Sequence, residues 1–180
     1  MRYSSVNAAK SIVLIGMMGA GKSSVGRCLQ RRTGLARLDT DEMLAAEFGI
    51  PIAQIFATRG EEKFRDAETN ALRKLAPDRP AIIVTGGGIV LRNENVGLLK
   101  RLGTVVWLTA DEATLFERVS RRNDRPLIQK ENPRKVYSEL FRQRAPLYAA
   151  AADVQVDTAA KTHDEVADAI LNKLEEVATR

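Results

Sequence analysis

The stretch Ser11–Gln30, SIVLIGMMGAGKSSVGRCLQ, decides the fold of this chain. Its first part, Ile12–Ile15, is a short apolar run rich in β-branched residues, which predicts a buried strand. The next eight residues, Gly16–Ser23, match the pattern G-x-x-x-x-G-K-[ST], and the residues after them have the apolar spacing of a helix. A strand, a glycine-rich loop and a helix in this order form the context in which that pattern binds phosphate.

The residue types in this loop suit the phosphates of a nucleotide. Glycines let successive backbone N–H groups turn toward phosphate oxygens, and the N-terminus of the following helix adds partial positive charge. Lys22 can reach the β- and γ-phosphates, and the hydroxyl of Ser23 can bind Mg²⁺. The motif therefore predicts a site for a nucleotide and its metal ion.

Composition is that of an ordinary soluble globular protein. The chain has 180 residues, of which 44% are hydrophobic and 28% charged, and its apolar runs are far shorter than a membrane span. Residues 1–10 lack the apolar centre of a signal peptide, and the single cysteine, Cys28, cannot form an internal disulfide. We expect a cytoplasmic protein with a disordered lead-in over residues 1–10 and one domain over residues 11–180.

The net charge of +5 has two explanations. Basic residues can bind nucleic acid, or they can focus anionic small molecules into a cleft. Nucleic-acid binding favours basic residues clustered with aromatic ones, whereas aromatic residues make up 5% of this chain and are scattered. We expect small anionic ligands and neither nucleic acid nor membrane as a partner. RNA binding is an alternative that depends on charge alone.

Further strand-like runs follow the first one, with helix-like segments between them. They are Leu35–Leu38, Ala81–Val84, Thr104–Leu108 and Val154–Val156. Strands that alternate with helices predict βαβ units, and hence a parallel sheet with helices on both faces.

Two carboxylates, Asp39 and Asp41, follow the second predicted strand. In parallel sheets, the carboxyl ends of the strands face the crevice that binds ligands. Asp39 could join the shell of Mg²⁺, usually through water, and Asp41 would point at a substrate. Asp41 could also cap the next helix, and capping is compatible with a functional role.

Two later features have two interpretations each. Arg65 and Glu68 are three residues apart on a predicted helix, so they form either a solvated pair or a pair in which Glu68 holds Arg65 for a substrate carboxylate. Gly86–Gly88 ends the third strand, where glycines are costly. These glycines indicate either the close approach of a ligand to the backbone or an ordinary tight turn.

A loop is predicted over residues 123–133, which contain two prolines and little periodicity. It could be a lid that carries Arg125 over phosphates, or an ordinary surface loop. In the helix that begins at Pro133, Arg142 and Arg144 cannot both face one site, and we expect Pro146 to limit this helix near Arg144.

The start of the last predicted helix contains a candidate cap and the histidine of the chain. Thr162 or Asp164 is expected to cap it. His163 is the only histidine and is expected to have no catalytic role, because no partner for metal binding or triad chemistry accompanies it in the sequence.

The segments GMMGAGKSS, DTD, IFATRGEEKFRDAE, TGGG, RPL and RAPLY, in this order, resemble the shikimate kinase family. The resemblance covers about residues 10–157. It implies a P-loop fold like that of nucleoside-monophosphate kinases, with five parallel strands in the order 2-3-1-4-5, a substrate-binding region at about residues 40–75 and a lid at about residues 122–133. It also implies that the protein uses MgATP to phosphorylate the 3-hydroxyl of shikimate in aromatic amino-acid biosynthesis. We expect the protein to be a monomer.

The resemblance also implies roles for single residues. The ATP contacts would be Gly19, Ala20, Gly21, Lys22, Ser23, Ser24 and the lid residue Arg125. The metal contacts would be Ser23 and Asp39. The shikimate contacts would be Asp41, Arg65, the Gly87 backbone and Arg144. Lys22, Asp41 and Arg125 would be the catalytic residues.

Two departures from the family pattern affect the nucleotide side. Ser24 stands where the family often has threonine, and the stretch after strand five lacks an arginine that some members use for adenine, with Lys161 as a substitute candidate. Two rival functions are another small-molecule kinase on this scaffold, such as a gluconate kinase, and a nucleotide-binding relative without catalysis.

Overall fold

A computed structural model describes residues 10–75, 79–121 and 131–178 of the chain. Five strands form one parallel sheet in the order β2-β3-β1-β4-β5, which confirms the predicted topology. They are β1 (Ser11–Ile15), β2 (Ala36–Asp39), β3 (Ala81–Val84), β4 (Gly103–Thr109) and β5 (Val154–Asp157).

Helices connect the strands and cover the sheet. They are α1 (Lys22–Thr33), α2 (Thr40–Phe48), α3 (Ile52–Arg59), α4 (Glu61–Lys74), α5 (Asn93–Leu102), α6 (Glu112–Ser120), α7 (Pro133–Ala151) and α8 (His163–Ala178), with a 3₁₀ turn at Ile89–Leu91. No helix in the part of the chain that the structure describes is long and apolar enough to cross a membrane.

Burial follows the position of each strand in the sheet. Every residue of the central strand β1 and of its neighbour β3 is buried, as expected for strands covered on both faces. The edge strand β5 alternates between buried and exposed residues. The phosphate loop follows β1 and the glycines Gly86–Gly88 follow β3, both at the carboxyl ends of these buried strands.

The helix α7 is longer than we predicted. It begins at Pro133 as expected, but it continues through Pro146 to Ala151. Pro146 is exposed, so the helical hydrogen bond that it cannot make is lost on the solvent side. Arg144 and Tyr148 are buried on either side of it and hold both halves of the helix on the core.

Helix starts agree with the sequence in part. Asp39, and not Asp41, is the N-cap of α2, because its side chain accepts hydrogen bonds from the N–H groups of Asp41 and Glu42. At the start of α8, the Thr162 hydroxyl accepts from the Glu165 N–H, and the Glu165 carboxylate accepts from the Thr162 N–H. This reciprocal pair is a capping box, so Thr162 and not Asp164 is the cap.

Candidate active site

A cavity of about 1150 Å³ lies at the carboxyl ends of β1, β2, β3 and β5. It brings together every predicted site residue that the structure describes. These residues are Gly19, Ala20, Gly21, Lys22, Ser23, Ser24, Asp39, Asp41, Arg65, Gly87 and Arg144. Arg125 and most of the predicted lid lie outside the described residues, so that part of the prediction stays a prediction.

The phosphate loop, residues 16–23, has the backbone that anion binding requires. Gly16, Gly19 and Gly21 have φ values of 142°, 91° and 87°, in the region that favours glycine. Lys22 begins α1, and its ammonium group donates to the carbonyl oxygens of Gly16 at 2.6 Å and Met17 at 3.2 Å. The N-cap residue Gly21 has no side chain to occupy the first N–H groups of α1, which suits an anion at that helix end.

Ser23 and Asp39 meet at the edge of this loop. The Ser23 hydroxyl lies 3.3 Å from Oδ2 of Asp39, and Nη1 of Arg37 lies 3.0 Å from the same oxygen. The Asp39 side chain is about 5% exposed, so it is held in place by the cap of α2, by Ser23 and by Arg37. A hydroxyl and a carboxylate are the hard oxygen ligands that Mg²⁺ prefers, so this pair fits the metal of a nucleotide complex.

Arg65 and Glu68 of α4 form a buried ion pair. Arg65 is 9% exposed and Glu68 is fully buried, and Nη1 of Arg65 donates to Glu68 while Nη2 donates to Glu61 at 3.1 Å. Burial raises the pKa of the Glu68 carboxyl, and the positive charge of Arg65 opposes that rise only in part. The interpretation as a solvated pair is therefore wrong, and Glu68 holds Arg65 at the cavity wall.

The glycines after β3 have a reason that neither interpretation anticipated. A Cβ on Gly88 would overlap the guanidinium of Arg65, and a Cβ on Gly86 would lie 2.7 Å from Asp41 Oδ1 and 2.8 Å from Glu68 Oε1. The φ of Gly88 is −101°, which any residue adopts. These two glycines are needed because three charged side chains pack against them.

A second arginine approaches the same turn from α7. Arg144 is 7% exposed and its Nη1 donates to the Gly87 carbonyl at 3.3 Å, while Arg142 is exposed, as the helical spacing predicted. Within the described ranges, the Nε groups of Arg65 and Arg144 are buried and have no hydrogen-bond partner. Both arginines line the cavity, and two guanidinium charges on its wall suit an anionic group of a ligand.

Arg118 of α6, and Lys161 and His163 near the start of α8, also line the cavity. Lys161 donates to the Asp157 carbonyl at 3.2 Å, and Arg118 of α6 donates to the Thr158 carbonyl and hydroxyl. His163 lies so close to the phosphate loop that a Cβ on Gly21 would be 3.3 Å from its ring. Sequence patterns assign no role to Arg118 or His163, because their distance from the loop along the chain does not indicate this proximity.

Comparison with known proteins places this geometry in a family. The shikimate kinase family model matches residues 18–175. A shikimate kinase of Thermodesulfovibrio yellowstonii is 41% identical over 94% of this chain and 97% of its own length, and one of Moorella thermoacetica is 44% identical over 91% and 94%.

Solved structures agree with the sequence relatives. A shikimate kinase from Acinetobacter baumannii in complex with shikimate is 34% identical, with a TM-score of 0.89 over 95% of this chain and 96% of its own. A gluconokinase from Sinorhizobium meliloti, with 22% identity and a TM-score of 0.59, shares the fold alone. The match of the family model over most of the chain, with relatives above 40% identity, shows that this chain belongs to the shikimate kinase family.

Proposed function

We propose that this protein transfers the γ-phosphoryl group of ATP to the 3-hydroxyl of shikimate. The observation that carries the proposal is the pair of buried arginines, Arg65 and Arg144, on the wall of the cavity that also holds the phosphate loop. Shikimate has a carboxylate, and the guanidinium groups of these two cavity-lining arginines can bind it. The Acinetobacter baumannii relative was solved with shikimate, which supports this substrate.

The phosphate loop provides the nucleotide side. The N–H groups of Gly19–Ser24 would hold the phosphate oxygens, and the ammonium of Lys22 would move from its carbonyl contacts to the transferred phosphoryl group. Phosphoryl transfer demands positioning and charge neutralisation more than covalent chemistry, and this loop supplies both. Arg125 is proposed to add positive charge to ATP from the predicted lid.

The Ser23 hydroxyl and the Asp39 carboxylate are proposed to hold Mg²⁺, with Asp39 acting directly or through water. When bound, the ion neutralises charge on the phosphates. Arg37 and the N–H groups of α2 keep the Asp39 carboxylate turned toward Ser23.

The acceptor side consists of Asp41, Arg65, Gly87 and Arg144. With the carboxylate of shikimate at the arginines, Asp41 is proposed to accept a hydrogen bond from the attacking 3-hydroxyl and to orient it in line with the γ-phosphate. Asp41 and Glu68 both contact the space over Gly86, so the acceptor groups share one rigid turn.

The decisive experiment is a coupled ADP assay with MgATP and shikimate, with Mg²⁺ omitted from a parallel sample. We expect ADP release that requires both shikimate and the metal. Gluconate in place of shikimate tests the rival function, that of a gluconate kinase. ADP release with gluconate but not with shikimate would reject the proposed substrate. ATP binding without ADP release from either substrate would favour a relative without catalysis.

We further propose that the protein acts in the cytoplasm, where ATP is available, and as a monomer. Size-exclusion chromatography with light scattering measures the mass against the 19.8 kDa of one chain.

A further inference from the structure

Three buried side chains share one face of α7. Tyr137, Arg144 and Tyr148 are spaced by seven and then four residues, and this spacing places all three on the side of the helix that faces the sheet. Tyr137 and Tyr148 are 0% and 1% exposed, and neither of them lines the cavity. The two tyrosines therefore lie behind the residues that form the cavity wall.

Tyr137 is bonded to the phosphate loop. Its hydroxyl donates to the carbonyl oxygen of Met18 at 2.8 Å, and Met18 lies in the middle of that loop. The ring packs edge-on against Phe116 of α6 with centroids 5.5 Å apart, so the hydroxyl has little freedom to move. Burial raises the pKa of Tyr137, and the hydroxyl therefore stays protonated and remains a donor.

Tyr148 makes the corresponding bond to the glycine turn after β3. Its hydroxyl donates to the carbonyl oxygen of Gly87, which also accepts from Arg144. The ring stacks beside Trp107 with centroids 6.1 Å apart. Burial raises the pKa of Tyr148 to about 12, so this hydroxyl is also a donor at neutral pH.

The two loops that these tyrosines hold are neighbours. A Cβ on Gly87 would lie 3.5 Å from the backbone nitrogen of Met18 and 3.7 Å from the carbonyl oxygen of Gly16. A backbone carbonyl that turned into the site would repel a phosphate or a carboxylate. Each hydroxyl binds one carbonyl from the side away from the cavity and so keeps that negative end of the peptide dipole off the ligand.

We propose that Tyr137 and Tyr148 are positioning residues for phosphoryl transfer, and this inference rests on the function proposed above. Tyr137 sets the backbone that receives ATP, and Tyr148 sets the backbone beside the arginines that receive shikimate. Through them, one helix holds the nucleotide loop and the acceptor turn at a constant separation. The phenol rings belong to the core, but the hydroxyl groups serve the site.

The test uses variants that remove the hydroxyl and keep the ring, Tyr137→Phe and Tyr148→Phe. Thr33→Val is the matched control, because Thr33 also donates to a backbone carbonyl at 2.8 Å, that of Leu29, away from the cavity. For each protein, calorimetry measures the binding of the Mg²⁺ complex of a non-hydrolysable ATP analogue and, separately, of shikimate.

We expect a crossed pattern. Tyr137→Phe should weaken the binding of the ATP analogue by about 5- to 20-fold, because the Met18 carbonyl loses the hydroxyl that donates to it. It should change shikimate binding less than about twofold. Tyr148→Phe should weaken the binding of shikimate by about 5- to 20-fold and should change the binding of the ATP analogue less than about twofold. Thr33→Val should alter neither affinity, although its melting temperature can fall like those of the tyrosine variants.

Two results would overturn the proposal. One is unchanged affinity for both ligands in both tyrosine variants, and the other is equal weakening of both ligands together with a lower melting temperature, which indicates a general loosening of the core. Failure of the proposed function looks different, because wild-type protein would then not bind shikimate. In that case the effect of Tyr137→Phe on the ATP analogue still decides the inference for the phosphate loop.

Discussion

The guanidinium of Arg65 occupies the space that a side chain on Gly88 would fill. Glu68 and Glu61 of the same helix hold Arg65 there by ion pairs. The guanidinium also lies over the aromatic rings of Phe56 and Phe64, whose centroids are 5.6 and 5.3 Å from the guanidinium carbon. A helix and a glycine turn that are distant in sequence thus depend on each other.

Gly88→Ala should expel Arg65 from its position. The new methyl group overlaps the guanidinium, while the backbone at φ −101° accepts alanine without strain, so the effect is purely steric. We expect shikimate affinity to fall at least about 10-fold and the free energy of unfolding to fall by about 1–3 kcal/mol. Calorimetry with shikimate and chemical unfolding measure the two effects.

The control is Gly97→Ala in α5, where a Cβ meets no atom of the described residues within 4 Å. This change should leave shikimate binding unaltered and stabilise the helix by about 0.5–1 kcal/mol. If Gly88→Ala bound shikimate as well as Gly97→Ala does, Arg65 would not be the group that receives the substrate.

Arg65→Lys should be costly although it keeps the charge. A lysine ammonium is a point charge and cannot reproduce the planar donors that contact Glu68 and Glu61 and still face a carboxylate. We expect shikimate affinity to fall roughly 30-fold, the mild end for a disrupted buried pair, with ATP affinity unchanged. Arg142→Lys is the matched control on the exposed side of α7 and should behave like wild type.

Lys22→Ala should abolish turnover without unfolding the protein. The ammonium lies against the carbonyls of Gly16 and Met17, on the wall where the phosphates are proposed to bind. We expect kcat to fall at least about 100-fold, since the charge that stabilises the transferred group is lost. Steady-state kinetics and circular dichroism give the answer, and a normal kcat in a folded variant would contradict the role.

The pH dependence of stability should carry the signature of Glu68. Its pKa in the folded state is raised above the ordinary value of 4.5, so between these two values the native state binds more protons than the unfolded state. Stability is therefore fully present below pH 4.5 and falls as the pH rises through the folded-state pKa. Glu68→Gln lacks this titration.

Unfolding free energies of wild type and Glu68→Gln, measured from pH 4 to pH 8, isolate the contribution of this group. We expect the stability of wild type relative to the variant to decline as the pH rises above 4.5. A relative gain over that range would mean that Arg65 lowers the pKa of Glu68 by more than burial raises it.

Local patterns in the sequence predicted most of the framework. The phosphate loop and the alternation of strands with helices follow from short-range chemistry, that is, from short apolar runs and from glycines with positive φ. The order of the strands came from the resemblance to the shikimate kinase family. The individual site residues also came together in one cavity, apart from Arg125, which lies outside the described residues.

Long-range packing decided the rest. The spacing of Arg65 and Glu68 is the same in a solvated pair and in a buried one, and only the packing of α4 against the turn at Gly88 decides between them. The helix α7 passes Pro146 because buried contacts on both sides outweigh one hydrogen bond lost to solvent.

The sequence by itself determined that this chain has a phosphate loop at the carboxyl end of a strand in a parallel sheet, because the bonds that form such a loop join residues close together in the chain. Only the tertiary structure decided what stands behind the loop. Met18 and Tyr137 are 119 positions apart, and Gly87 and Tyr148 are 61 apart, yet each pair shares a hydrogen bond. No local preference encodes such a bond, because its energy appears only after the sheet and α7 have packed together.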